Sequence, residues 1–81
     1  MTTCVLSKDQ ITLLRSYNFP FEIPAELSKI ENDKIIQIAR ILHDDGCLDF
    51  VNDEPTNKCL ISESILDMIQ DNLIPDIYEK I

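Results

Sequence analysis

Three acidic side chains near the end of the chain recur at a fixed interval. Glu63, Asp67 and Asp71 are four residues apart, so on an α-helix they lie along one face. Like charges at this spacing destabilise an isolated helix by about 0.2–0.5 kcal/mol for each pair, a cost that a lysine at any of these positions would remove. The repeat has two interpretations, a solvated face that keeps the protein soluble and a docking face for a basic partner.

The net charge of the chain lies entirely in its second half. Residues 1–40 contain five acidic and five basic side chains, whereas residues 41–81 contain ten acidic and two basic ones, which gives a formal net charge of -8. This charge repels phosphate backbones and anionic membranes, so we expect a basic protein partner, and neither direct nucleic-acid binding nor membrane binding. The residues predicted to bind the partner are all acidic: Asp44, Asp45, Asp49, Asp53, Glu54, Glu63, Asp67 and Asp71.

The size and charge of the chain favour a non-enzymatic acidic binding protein that neutralises or inhibits its partner. Carboxylates at near-regular spacing can imitate the phosphates of a nucleic acid, and acidic surfaces give fast, salt-sensitive association with basic ones. The predicted partner is therefore a nucleic-acid-binding enzyme or a toxin. Small acidic immunity proteins, antitoxins and phage-encoded inhibitors share this size and charge as a class, although the chain contains no motif of any one of them.

Side chains that commonly catalyse reactions or bind metals are few. His43 is the only histidine, and the three cysteines, Cys4, Cys47 and Cys59, have no Cys-x-x-Cys spacing. The single glycine, Gly46, is too few for a phosphate-binding loop, and no calcium-loop motif is present. We therefore predict no catalytic residue, no metal ligand and no cofactor. An enzyme that pairs His43 with a cysteine is the remaining alternative.

Length and composition predict one domain over residues 1–81. An apolar fraction of 44% in 81 residues suits a folded domain with one small core, as a monomer or a homodimer. Residues 1–4 lack the features of a signal peptide, and no apolar run is long enough to span a membrane. An odd number of cysteines without a disulfide pattern is typical of reduced thiols, so we expect a cytoplasmic protein.

Two helices are predicted in the first half of the chain. Ser7 begins a capping box, so a helix should cover about residues 8–17, with Asn18 closing it in a left-handed conformation. The two prolines in residues 19–24 require an extended connector. The second helix begins near Ser28 or Asn32 and ends at the glycine. Its predicted buried face is Ile35, Ile38, Ala39 and Leu42, widened by Ile36 and Ile41.

The second half is predicted to contain a hairpin and a third helix. Residues 47–51 and 58–61 are short β-prone runs, separated by the turn-forming residues 52–57. Ser62 or Ser64 is the predicted cap of the last main helix. Pro75 either interrupts this helix or starts a last turn in which Ile77, Tyr78 and Ile81 can pack back. The inward-facing residues of this helix are predicted to be Ile65, Leu66, Met68, Ile69 and Leu73. The fold class is therefore α+β, with about three helices and a two-stranded β-hairpin.

The order of elements over residues 33–73 resembles the latter part of a winged-helix domain. The resemblance is carried by the sequences ILHDDGCLDF at residues 41–50 and CLIS at residues 59–62, which look like a helix end leading into a wing and a strand leading into a further helix. In that family a recognition helix enters the major groove of DNA and the wing contacts phosphates. The resemblance therefore implies a winged-helix transcriptional regulator or a subunit of a DNA-associated complex as the alternative function.

The charges on the corresponding surfaces oppose DNA binding. The wing tip would carry Asp53 and Glu54, and DNA affinity comes largely from lysine and arginine contacts to phosphate. A winged-helix scaffold used for protein contacts fits this charge pattern better. The outward side chains of the candidate recognition helix are a mixed set: Asp33, Lys34, Gln37, Arg40 and Asp44.

Overall fold

The computed structural model describes residues 4–81 and is mainly helical. The helices are α1 (Lys8–Ser16), α2 (Asn32–Asp44), α3 (Asn57–Asn72) and α4 (Ile77–Lys80). Between α2 and α3, strands β1 (Phe50–Val51) and β2 (Glu54–Pro55) form an antiparallel hairpin. This α+β arrangement of three longer helices and a hairpin confirms the predicted fold class. The expectation of no signal peptide rests partly on residues 1–3, which lie outside the described residues.

The start and end of α1 are those that its sequence predicts. The side chain of Ser7 accepts a hydrogen bond from the Gln10 backbone N–H at 3.2 Å, and the Gln10 Oε1 accepts one from the Ser7 N–H at 2.8 Å. Tyr17 is the C-cap residue of α1, and Asn18 has φ 53°, the predicted left-handed conformation. Both ends are set by contacts between neighbouring residues.

Of the two predicted starts of α2, Asn32 is confirmed as the first residue of the helix, but neither Ser28 nor Asn32 is its cap. The residue that precedes the helix is Glu31, and its side chain makes no capping hydrogen bond. Ser28 lies in a short 3₁₀ helix, Leu27–Lys29, and its hydroxyl donates to the Glu26 carboxylate at 3.0 Å. This turn places Ser28 before the cap position, and Asn32 is already helical.

The hairpin turn is tighter than predicted because two residues adopt left-handed backbone conformations. Asn52 has φ 54° and Asp53 has φ 66°, as a two-residue turn with positive φ at both positions requires. The return strand therefore begins at once with Glu54, which pairs with Val51. The predicted second strand at residues 58–61 is wrong, since those residues belong to α3.

The start of α3 also differs from the prediction. Thr56 is the cap, and its Oγ1 accepts a hydrogen bond from the Cys59 N–H at 3.3 Å. Neither Ser62 nor Ser64 caps this helix, because the early turn leaves residues 57–61 free to begin it. Ser62 is buried within the helix instead, and its hydroxyl donates to the Lys58 carbonyl at 2.7 Å.

The hydrophobic core lies where the helices and the connector meet. The predicted buried face of α2 is confirmed at Ile35, Ile38, Ala39 and Leu42, but Ile36 is half-buried and Ile41 is 36% exposed. On α3, Ile65, Leu66 and Ile69 are buried as predicted, while Met68 and Leu73 are half-buried. Ile77 of α4 is buried too, but Tyr78 beside it is 45% exposed. The buried side chains of this cluster are Cys4, Leu6, Leu14, Ile23, Leu27, Ile35, Ile38, Ala39, Leu42, Ile65, Leu66, Ile69, Ile74 and Ile77.

Gly46 follows the end of α2, as predicted, but its role is close packing. It begins a 3₁₀ helix, Gly46–Leu48, and φ is not positive at this glycine. A Cβ at this position would overlap the Ser62 hydroxyl, and it would lie 2.7 Å from the Ser62 Cβ and 3.3 Å from the Tyr17 hydroxyl. The chain after α2 can therefore lie against α3 only because residue 46 has no side chain.

We expect Gly46→Ala to destabilise the protein by about 1–3 kcal/mol, the usual cost of adding a methyl group to a well-packed site. Urea unfolding followed by far-UV circular dichroism measures this loss. In a Ser62→Ala background the same change should cost less, because the overlap with the hydroxyl is gone while the Cβ remains. Equal stability of Gly46→Ala and the wild type would contradict the close approach.

Candidate functional site

The candidate functional site is an acidic surface, and its most regular part is the acidic stripe of Glu63, Asp67 and Asp71. All three side chains lie on the exposed face of α3, while Ile65, Leu66 and Ile69 face the core. Among residues 4–81, no lysine or arginine forms an ion pair with the stripe. The stripe is therefore a row of solvated negative charges that a partner can approach.

The hairpin carries two further exposed carboxylates. Asp53 lies in the turn and Glu54 in β2, and within the described part of the chain neither has an ionic partner. The predicted acids of the hairpin tip are therefore accessible. Asp44, at the end of α2, is also exposed, and its Oδ1 lies 3.3 Å from the Nδ1 of His43.

Asp45 is exposed as well, but its carboxylate contacts two other side chains. Its Oδ2 lies 2.7 Å from the Nζ of Lys58 and accepts a hydrogen bond from the Tyr17 hydroxyl at 2.8 Å. The ammonium group also lies 5.3 Å from the centre of the Tyr17 ring. The hydrogen bonds from Lys58 and then Tyr17 lower the pKa of the Asp45 carboxyl, and the pKa of Lys58 is raised by the same bond. This cluster joins α1, the end of α2 and the start of α3.

Asp49 also has a structural role. Its side chain is half-buried, and its Oδ2 accepts a hydrogen bond of 2.5 Å from the hydroxyl of Thr56, while its backbone carbonyl accepts from the Thr56 N–H at 3.0 Å. These contacts close the base of the hairpin and orient the hydroxyl that caps α3. Of the eight acids predicted to bind a partner, Asp45 and Asp49 are thus committed to intramolecular contacts.

The three thiols are free. The Cys59 Sγ donates to the Cys47 carbonyl oxygen at 3.2 Å. Burial, followed by the nearby charges of Cys59, Glu63 and Asp67, raises the pKa of Cys47 to about 11, and burial also raises the pKa of Cys59. These thiols are therefore protonated at neutral pH, which disfavours the thiolate that a cysteine nucleophile requires.

The exposed apolar side chains near the acids were not predicted as part of the site. Leu48, Phe50 and Val51 belong to the first predicted strand and Leu60 to the second, and the strand pattern does not predict which of them face solvent. All four are at least half exposed. Tyr78 lies on α4, and its ring centre is 6.2 Å from that of His43. Burial, followed by the charges of Asp67, Cys47 and Glu63, raises the pKa of its phenol.

An open groove lies between α1 and the start of α3, and its lining includes neither the acidic stripe nor the acids of the hairpin tip. Its volume is about 400 Å³. Within residues 4–81, no group of three metal-binding side chains lies close enough together to hold an ion. The groove is lined by Asp9, Thr12, Leu13, Ser16, Asn57, Lys58 and Ile61.

Comparisons of the chain with protein-family models, with curated proteins and with solved structures found no match. Among the helices of residues 4–81, none has the length and apolar composition needed to cross a membrane.

We expect Asp45→Asn to lower the free energy of unfolding at neutral pH. The pKa of this carboxyl is lower in the folded protein than in the unfolded chain. Its contribution to the free energy of unfolding is therefore complete at pH values above the pKa of the unfolded chain, and it is lost as the pH falls through the pKa of the folded protein. Urea unfolding should therefore separate the variant from the wild type at neutral pH, and the difference should disappear in acid.

Asp44→Asn is the matched control for this experiment. The substitution removes a negative charge from the same end of α2. The Asp44 carboxylate lies beside His43, whereas Lys58 and Tyr17 contact Asp45. A pH-dependent loss of the same size in Asp44→Asn would show that the helix end, rather than the cluster, is responsible.

Proposed function

We propose that this protein is a non-enzymatic acidic binding protein that neutralises or inhibits a basic protein partner. The observation that carries the proposal is the exposure of Glu63, Asp67 and Asp71, together with the hairpin acids Asp53 and Glu54. Such a surface steers a basic partner into contact, and its effect weakens with salt. A cytoplasmic location fits the three free thiols, since reducing compartments keep cysteines unpaired.

The partner class is a nucleic-acid-binding enzyme or a toxin with a basic active surface. Acids spaced four residues apart on a helix recur about every 6 Å. A strand of duplex DNA carries one charge about every 3.4 Å, so the acidic stripe has roughly half of that linear charge density. It can occupy a phosphate-binding surface in the manner of an immunity protein, an antitoxin or a phage inhibitor, but other contacts must add to the affinity.

The triple variant Glu63→Lys, Asp67→Lys, Asp71→Lys tests the proposal. In a pull-down from cell extract, the wild type should retain basic proteins at low salt and release them at high salt, because salt screens exposed charges. The triple variant should lose these partners. Partners captured by the wild type should also lose nucleic-acid binding or nuclease activity when the protein is added.

A second variant controls for net charge. Glu22→Lys, Glu31→Lys, Asp33→Lys changes the charge by the same amount at three exposed acids of the neutral half. It should retain most of the binding, after urea unfolding has verified that both variants fold. If every partner survives the reversal of the acidic stripe, the stripe only keeps the protein soluble.

The alternative function is a winged-helix regulator or a subunit of a DNA-associated complex. The order of α2, an exposed hairpin and α3 supports it. Binding of the wild-type protein to a DNA duplex at low salt would favour this alternative. The acids at the hairpin tip, Asp53 and Glu54, lead us to expect no such binding.

A further inference from the structure

Four apolar side chains near the hairpin are exposed to solvent in a protein with a small core. Leu48 is 70% exposed, Phe50 52%, Val51 60% and Leu60 51%. Single exposed apolar residues are ordinary on protein surfaces, but neighbouring ones mark interaction sites. Their relative placement therefore decides whether they form a surface.

The residues that precede Leu48 and Leu60 are joined by a hydrogen bond. Cys47 precedes Leu48, Cys59 precedes Leu60, and the Cys59 Sγ lies 3.2 Å from the Cys47 carbonyl oxygen. The 3₁₀ helix Gly46–Leu48 packs against α3 along this contact. The two exposed leucines thus flank one junction between the 3₁₀ helix and α3.

The hairpin extends this apolar surface. Phe50 pairs with Pro55 across the strands, and side chains of paired residues lie on the same face of a hairpin. Both residues are exposed, so they present one apolar face, and Val51 is exposed on the other. We call Leu48, Phe50 and Leu60 the apolar patch.

Acidic side chains lie around the apolar patch. Asp53 lies in the turn of the hairpin, and Glu54 pairs with Val51 on the face opposite Phe50. On α3, Glu63 lies three residues after Leu60 and Asp67 seven residues after it, so all three share one face of the helix. An apolar centre with a charged rim is the usual arrangement of a protein-binding surface.

The acidic side chains around the apolar patch determine which kind of partner can bind there. A second copy of the chain would bring like charges together across the interface, because the net charge is -8. A polypeptide with large apolar side chains flanked by lysine or arginine satisfies both the patch and its rim. This occupant also supplies the affinity that the acidic stripe alone lacks.

We infer that the apolar patch is the anchoring site for such a segment of the basic partner, an apolar side chain flanked by lysine or arginine. The inference rests on the proposed function and names the part of the partner that is recognised. The acids steer the partner, while burial of its apolar side chain against Leu48 and Phe50 slows dissociation.

Two synthetic peptides serve as probes of the full-length protein. One is an amphipathic helix of lysine and leucine, and the other has serine in place of each leucine and the same charge. Isothermal titration calorimetry at low salt should show at least about tenfold tighter binding of the leucine peptide. In Leu48→Ser, Phe50→Ser, this preference should disappear while the binding of the serine peptide is unchanged.

Val5→Ser is the control, since Val5 is 58% exposed but lies outside the patch. It should keep the wild-type preference. Leu60→Ser gives an independent second variant, expected to weaken binding of the leucine peptide alone. Val51→Ser, on the opposite face of the hairpin, should keep the wild-type preference. Far-UV circular dichroism and urea midpoints establish that each variant is folded.

The outcomes separate the inference from the proposed function. Equal binding of both peptides to the wild type would overturn the apolar anchor but leave the acidic binding protein standing. Failure of both peptides to bind would contradict the proposed function as well. Sedimentation that shows a wild-type dimer and a monomeric Leu48→Ser, Phe50→Ser variant would assign the patch to self-association and overturn the inference.

Discussion

The close approach of Gly46 to Ser62 is the contact on which the arrangement of the site depends. It lets the chain lie against α3 as soon as α2 has ended, with Ser62 buried beneath the glycine. From this point the 3₁₀ helix leads directly into the hairpin, so Leu48 and Phe50 are held at the surface. Asp45, the residue before the glycine, reaches Lys58 on α3 and reinforces the same junction.

Acids of the same type and region differ in role because their neighbours differ. Asp45 has an ammonium group and a phenol within hydrogen-bond distance, and Asp49 has the hydroxyl of Thr56. These two carboxylates orient backbone segments. The acidic stripe is solvated and makes no such contacts within the described part of the chain, so its like charges repel one another along α3 without an ionic partner. That uncompensated repulsion supports a role in recognition.

A surface that combines exposed acids with an apolar patch has two separable effects on a basic partner. Long-range attraction raises the rate of encounter and weakens with salt, whereas burial of apolar side chains at short range slows dissociation and depends little on salt. The stripe has about half the charge density of a DNA strand, so in the proposed complex we expect the apolar contribution to set the rate of dissociation.

The sequence by itself determined the features that depend on near neighbours. The capping box at Ser7, the left-handed Asn18, the buried face of α2 and the charge difference between the halves all follow from residues a few positions apart. The presence of a hairpin was also predictable. Its return strand was misplaced because Asn52 and Asp53 both adopt positive φ, a choice that residue types favour but do not require.

The tertiary structure decided what depends on contacts between distant residues. Thr56 rather than Ser62 caps α3 because Asp49 lies beside its hydroxyl, and Ser62 is buried because Gly46 packs on it. The position of Lys58 likewise decided that Asp45 has an ionic partner. The exposure of the apolar patch was decided in the same way, since hydrophobic residues in a short run can equally pack or face solvent until the chain around them is placed.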